Sequence, residues 1–394
     1  MSFTGNRLRR FAAAGALLLV AGIFARAADE PATAKPPTVK PQYEHGEIRV
    51  AGARADEPVA ARLSVSAAAA YLEQGNTAWN GARGCVSCHT NGTYMVVRPA
   101  LTKSLGRPDE SGRKHFVTAL EGLEKTPLED LGKSTKPAQL IYTAAGLAEW
   151  DAHVTGSLSP ETDRALRLMF AIQLETGTFG TLDCWPPYES DAFHEATVAA
   201  MAVAAAPRWR AGLKDADLQK KVDRLLTYLK TETPPHDYAR TLLLWTACRI
   251  PDLLPTDKKA ELVELLRKKQ QVDGGWSLRT FATPEQWGKG NRAKKLRGEP
   301  DFETPASDGH QTGLAVVVLR EAGVPANDPQ IVKAISWVTA NQRESGRWWT
   351  RSLNTDGPHY ITYSGTAFSL LALQMCDALP PAAAAATVPT SIGD

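Results

Sequence analysis

Gln271-Val272-Asp273-Gly274-Gly275-Trp276 separates two stretches of different character. Before it, Lys258, Lys259, Glu261, Glu264, Arg267 and Lys268 decorate one side of an amphipathic run. After it, beyond an insertion at 281–304, comes Leu314-Ala315-Val316-Val317-Val318-Leu319, apolar on every side. The same punctuation recurs: Gln342 leads to Ser345-Gly346-Arg347-Trp348, Gln173 to Phe179 and Gln74 to Trp79. Glycine permits the left-handed turn that ends a helix. The aromatic ring can then cover the helix end, and the Gln amide can bond freed backbone groups.

An apolar, small-residue helix is expected after each turn, at about 93–105, 136–148, 193–206, 236–248, 309–322 and 363–376. Amphipathic helices alternate with them, at about 64–76, 115–124, 160–174, 216–230, 256–271 and 328–342. Helices apolar all round are buried, and amphipathic ones cover them. The chain therefore reads as all-α, an (α/α)6 toroid over residues 61–378. An open helical superhelix fits the same periodicity. The pair at 115–148 is the weakest repeat, because it has no Gln–aromatic turn.

The Gln271–Trp276 and Gln342–Trp348 segments resemble the Q-W repeats of squalene–hopene cyclases and of the related prenyltransferase β-subunit toroids. The resemblance covers roughly residues 160–376 and continues, degenerate, back to 64. It implies a toroid with an apolar central cavity for an isoprenoid-like ligand. Proton-initiated terpene cyclases carry D-x-D-D-T-A at the start of an inner helix. The matching run is Asp308-Gly309-His310-Gln311-Thr312-Gly313, with His310 where the protonating acid would stand. Imidazolium is too weak an acid to protonate an isolated alkene, so classical squalene cyclisation is not implied.

In a toroid all inner helices start at one rim. That rim would gather Cys85, Cys88 and His89; Cys184, Asp191 and His194; His236 and Asp237; Asp308 and His310; His359 and Tyr360. His310, His194 and Asp308 are the candidate catalytic groups, and His359 would line the mouth with them. Asp191, Asp237 and Asp308 could instead simply cap helices. The insertion at 281–304 could be a lid or an ordinary surface loop.

Cys85-Val86-Ser87-Cys88-His89 is a C-x-x-C-H motif. It is the attachment signature of c-type haem, with two thioethers and His89 on the iron. Met169, Met201 or a rim histidine could be the sixth ligand. Two alternatives remain open. Cys85, Cys88, His89 and His194 form an N/S set of the kind zinc takes, and Cys85–Cys88 could be a disulfide. Cys248 and Cys376 lie in apolar runs and read as small buried hydrophobes.

Residues 1–27 have the layout of a signal peptide: Arg7, Arg9 and Arg10, then an apolar stretch, then Ala25-Arg26-Ala27. No stable membrane span is expected after cleavage, and a periplasmic or extracellular location follows. Residues 28–60 and 379–394 read as a disordered linker and tail. With 45 basic and 43 acidic residues the chain lacks the charge of a nucleic-acid binder. Three functions remain. The first is electron transfer or oxidation of an apolar ligand with one covalent haem and a redox partner protein. The second is a zinc-dependent or metal-free terpenoid cyclase or prenyltransferase-like enzyme. The third is a non-catalytic binding module.

Overall fold

The computed structural model describes residues 40–379 except Cys184 and Asp356. The expected signal peptide, residues 28–39 of the expected linker, Cys184 at the expected rim and residues 380–394 of the expected tail lie outside the described residues. Twelve helices carry the architecture, and single short turns are left unlabelled. The outer ones are α1 (Val65–Arg83), α3 (Glu110–Glu124), α5 (Pro160–Ala171), α7 (Ala216–Thr231), α9 (Thr256–Lys268) and α11 (Pro329–Ala340). The inner ones are α2 (Thr93–Val97, continued by turns to Leu105), α4 (Lys136–Trp150), α6 (Ala192–Ala205), α8 (Asp237–Arg249), α10 (Gly309–Glu321) and α12 (Ile361–Met375).

Each inner helix packs on the next in chain order, and α12 packs back on α2. The ring is therefore closed. Gln374 Nε2 donates to Ala100 O at 2.7 Å across that join, and Tyr363 Oη donates to Leu72 O at 2.5 Å. The inner helices run in one sense. The C-terminal ends of three of them, α4, α8 and α10, meet at Arg249, which bonds Glu149 at 2.5 Å and Glu321 at 2.7 Å. The (α/α)6 toroid read from the sequence is the fold observed.

Three Gln-turns are built alike. Gln173 Nε2 donates to Gly177 O and to Lys221 O, both at 3.0 Å. Gln342 Nε2 donates to Gly346 O at 2.8 Å and to Ser64 O at 2.9 Å. In the third, the residue in this role is Gln270, not Gln271: its Nε2 donates to Gly274 O and Gln330 O, both at 2.8 Å. Each amide thus staples its own turn to the start or flank of the next outer helix, and Gln342 joins the last to the first. The rings of Trp276 and Trp348 are fully buried and donate to Leu266 O and Val338 O, ten residues back, at 2.8 and 2.7 Å.

The Gln74–Trp79 pair is not such a turn. Both residues lie inside α1, which runs on to Arg83 and ends at Gly84 with φ +63°. Gly75 instead lets the Tyr363 ring approach the helix, where a Cβ would come within 2.5 Å of it.

The expected linker is corrected from residue 40 onward. Tyr43–His45 and Ile48–Val50 pair as an antiparallel hairpin. Tyr43 is buried against Tyr71, Tyr360 and Tyr363, with ring centroids 5.6–6.4 Å apart. Arg347 donates to Ala51 O at 2.8 Å and pairs with Glu57 at 3.0 Å. Apolar burial of Tyr43 and these backbone contacts outweigh the proline-rich composition that suggested disorder. Among the described residues no helix is long and apolar enough to cross a membrane.

Candidate functional site: the axial chamber and its rim

The starts of the inner helices converge as expected, and the point of convergence is Tyr188, a residue of the loop before α6. Its ring stands edge-on to His194 (5.8 Å) and His310 (6.0 Å) and meets Tyr142 at 6.5 Å. Its hydroxyl lies 3.3 Å from Thr93 Oγ1. Below it, a cavity of about 50 Å³ is walled by apolar and aromatic side chains such as Met201, Leu242, Trp245 and Phe368. The Glu149–Arg249–Glu321 cluster closes the other end; burial opposes the charge on Glu149, but Arg249 and His153 hold its carboxyl below the usual range.

His194 and His310 share this chamber. His194 Nε2 is 3.1 Å from Tyr142 Oη, while Nδ1 has no partner. His310 is wholly buried and engaged at both nitrogens, by Tyr238 Oη at 3.1 Å and Ser364 Oγ at 2.8 Å. Burial holds His194 down to about 4, and burial with the nearby His194 holds His310 down to about 3. Both are neutral at physiological pH and neither is a proton donor of imidazolium type.

Asp308 serves as the cap of α10. Its carboxylate accepts from Gln311 N at 2.9 Å and Leu278 N at 2.6 Å. Burial raises it to about 6 against those bonds. Asp191 caps α6 through His194 N at 2.8 Å and lies 3.2 Å from His236 Nε2. Asp237 is paired with Arg240 and Lys269. His359 caps a turn, accepting from Ser352 N at 3.0 Å.

Two groups at the rim were missed by sequence reasoning: Tyr188 and Glu195. Glu195 is fully buried, adjacent to His194 in the first turn of α6, and both carboxyl oxygens lack a hydrogen-bond partner. Burial raises its pKa well above the usual range, and Glu189 and Asp191 add to the shift. Glu189 itself is raised to about 7 by burial. The signal was present in the sequence. Glu195 is the sole charged side chain of Ala192–Ala205, a helix with no exposed face to put it on.

The C-x-x-C-H segment forms a single wide turn at Cys88–Gly92. His89 Nδ1 is bonded to Thr90 Oγ1 at 2.8 Å, which leaves Nε2 as the nitrogen that could meet a metal. Its ring stacks on Tyr360 at 4.7 Å and meets the edge of Trp79 at 4.9 Å, and burial lowers it to about 4. Cys85 is half-buried. Cys88 is enclosed, its thiol raised by burial and by Glu189 and Glu195. The imidazole keeps one nitrogen for a metal, whereas the second thiol is enclosed. A macrocycle bonded to both sulfurs needs Cys88 to leave the wall it is packed in.

Both cysteines are free thiols rather than a disulfide. Among the described residues no group of three or more His, Cys, Asp or Glu side chains is placed to hold a metal ion. The zinc set of Cys85, Cys88, His89 and His194 is therefore not assembled: His194 faces Tyr142 and Tyr188, and His89 faces Trp79 and Tyr360. Cys248 and Cys376 are half-buried, with thiols raised by burial to about 11.

The insertion at 281–304 spans the rim. Gln286 donates to Pro235 O at 2.9 Å, Arg292 to Asn354 Oδ1 at 2.6 Å, and Lys289 pairs with Asp183. Trp287 is buried on His236 at 4.8 Å and Tyr238 at 5.7 Å.

No family model and no curated protein matches the sequence. Among solved structures, a glycosidase variant in complex with glucose aligns at TM-score 0.47 and 12% identity, covering 79% of this chain and 97% of that one. A variant of the type II terpene cyclase MstE from Scytonema, in complex with geranylgeranyl dihydroxybenzoate, aligns at TM-score 0.45 and 13% identity, covering 79% and 96%. The fold assignment rests on the ring closure seen in this chain. It is an α/α toroid with an aromatic axial chamber and a buried acid in the first turn of one inner helix.

Proposed function

We propose that this chain is an enzyme that transfers a proton to the hydroxyl oxygen of an isoprenoid-like alcohol bound at the axial chamber, which then leaves as water, with Glu195, in the first turn of α6 but outside the chamber lining, as the acid. The observation that carries the reading is its unpartnered, fully buried carboxyl beside His194. Burying such a group without hydrogen bonds costs stability, and groups kept at that cost concentrate at functional sites. Burial raises Glu195 well above the ordinary carboxylate range, which favours the protonated, donating form. The faces of Tyr142, Tyr188 and Trp245 suit a positive charge developing on the ligand. His194, with Nδ1 unpartnered, is placed to take a proton back.

The test is incubation of the purified protein with geranylgeraniol and analysis of products by gas chromatography and mass spectrometry. Wild type rearranges the alcohol, and Glu195→Gln lowers the rate about a hundredfold or more, the usual contribution of a general acid. Equal rates would remove Glu195 from the reaction. Binding without any product would leave a non-catalytic binding module.

A second reading rests on the Thr90-anchored ring of His89: a covalent c-type haem on Cys85 and Cys88, with electron transfer to a partner protein. Expression beside cytochrome c maturation machinery then gives a red protein whose porphyrin survives denaturation. A colourless product sinks this reading. Both readings place the protein in the periplasm or outside the cell, on residues 1–27 alone.

A further inference from the structure

We propose that the cleft between residues 40–44 and the C-terminal turns of α1 is a binding site for an aromatic carboxylate of one or two rings. The cleft shares no lining residue with the axial chamber, and neither reading above makes use of it.

A cavity of about 380 Å³ opens there, within the range that small ligands occupy. Its walls carry three aromatic rings, those of Tyr43, Trp79 and Tyr360. The protein itself fixes their positions. Tyr360 is held between His89, with ring centroids 4.7 Å apart, and Tyr43, at 5.6 Å. Trp79 Nε1 donates to Cys85 O at 3.2 Å. Rings already ordered around open space need no rearrangement to receive an apolar group, which lowers the cost of binding.

The charges on the cleft select the rest of the ligand. Arg83, the last residue of α1, is exposed, and its guanidinium stands 5.8 Å over the Trp79 ring. It makes no hydrogen bond or ion pair with a described residue, and neither does Lys40 on the same lining. The one acid of the lining, Glu44, is already paired with Arg49 at 3.2 Å. Arg83 and Lys40 against Glu44 leave a single positive charge in excess, which a monoanion balances and a dianion exceeds. The Tyr360 hydroxyl also has no partner among the described residues, and Arg83 lies near enough to oppose the rise that burial imposes on it. A guanidinium fork beside a phenolic donor is a pair of groups that a carboxylate takes. The rings beside them take its aromatic part.

The probes are naphthoate and naphthamide, alike in shape and unlike in charge. Titrations by calorimetry compare wild type with Arg83→Gln and Ala82→Trp, two changes at exposed positions of α1, the second filling the cleft without altering its charge. Wild type binds naphthoate at least tenfold more tightly than naphthamide. Arg83→Gln removes that preference by weakening naphthoate alone, and Ala82→Trp weakens both at least tenfold. Equal binding of acid and amide by wild type overturns the carboxylate class. A preference for naphthoate that survives Arg83→Gln overturns Arg83 as its anchor. Binding that Ala82→Trp leaves unchanged puts the probes elsewhere on the protein and overturns the site, as does a wild type that binds neither. Should Ala82→Trp not fold, Tyr360→Phe takes its place, and naphthoate binding equal to that of wild type overturns the site in the same way.

Discussion

At the scale of single residues, the decisive quantity is the proton on Glu195. Its folded pKa stands well above the ordinary 4.5, through burial first and neighbouring carboxylates second. A carboxyl of that kind takes up a proton on folding at pH values between its unfolded and folded pKa, so its contribution to stability falls as pH rises through that window. His89, His194 and His310 act in the opposite sense. Held down to about 4, 4 and 3, they add stability as pH rises toward 6.5. The two effects offset each other in the wild-type profile, and a variant comparison separates them. Glu195→Gln is expected to gain on wild type by up to about 1.4 kcal/mol per pH unit above about pH 5. Urea unfolding at four pH values from 5 to 8 measures it, and a pH-independent difference would mean that Glu195 is ionised in the fold. Neither Glu195 nor Tyr188 figured among the sequence candidates. The acid was overlooked beside a histidine, although a helix with no solvent face flagged it. The tyrosine was invisible because burial of this loop residue is decided largely by α2, α4 and α10, which are remote in sequence.

At the scale of elements, the repeat was legible because each turn must solve the same local problem. A left-handed glycine shapes the turn six residues past the helix end, the Gln amide bonds that glycine's carbonyl, and at Trp276 and Trp348 the ring donates to a carbonyl of the helix it covers. The workable spacing is Gln to Gly at four and Gln to aromatic at six, met by Gln173, Gly177 and Phe179, by Gln270, Gly274 and Trp276, and by Gln342, Gly346 and Trp348. Adjacent glutamines at 270 and 271 hid the register by one residue, and Gln74 has Ala78 where the glycine should be. The glycines carry a measurable consequence. Gly274 has φ +94°, and a Cβ there would stand 2.7 Å from Lys333 O of the next outer helix. Gly274→Ala combines a disfavoured backbone with that overlap and is expected to destabilise by about 1–3 kcal/mol. Gly122, in α3 with nothing near its missing Cβ, is the control. Gly122→Ala is expected to stabilise by about 0.5–1 kcal/mol. Denaturant midpoints of the two variants that move in the same direction would contradict this account of the turns.

For the whole molecule, closure distinguishes this chain from an open array of the same helix pairs. In an open array each pair contacts only its neighbours, so damage at one end stays local. Here the last outer helix is stapled to the first through Gln342 and Ser64, α12 reaches α1 through Tyr363, and the strand segment before α1 is laced to the last turn by Arg347 and Glu57. Each inner helix therefore has two inner neighbours, and none is terminal. Tyr363→Phe removes the bond to Leu72 O at 2.5 Å and leaves that buried carbonyl short of a partner. A loss of about 1–3 kcal/mol is expected for such a group. In a closed ring that loss is shared. The slowest-exchanging amides of α6 and α8, on other arcs of the ring from α1 and α12, should speed up by the same factor as those at the seam, with unfolding still a single transition. Acceleration confined to α1 and α12 would show that the ends of the ring separate while the rest stays folded. In that case the shared rim, and with it the meeting of His194, His310 and Tyr188 at one axis, would depend on a seam that opens independently of the site.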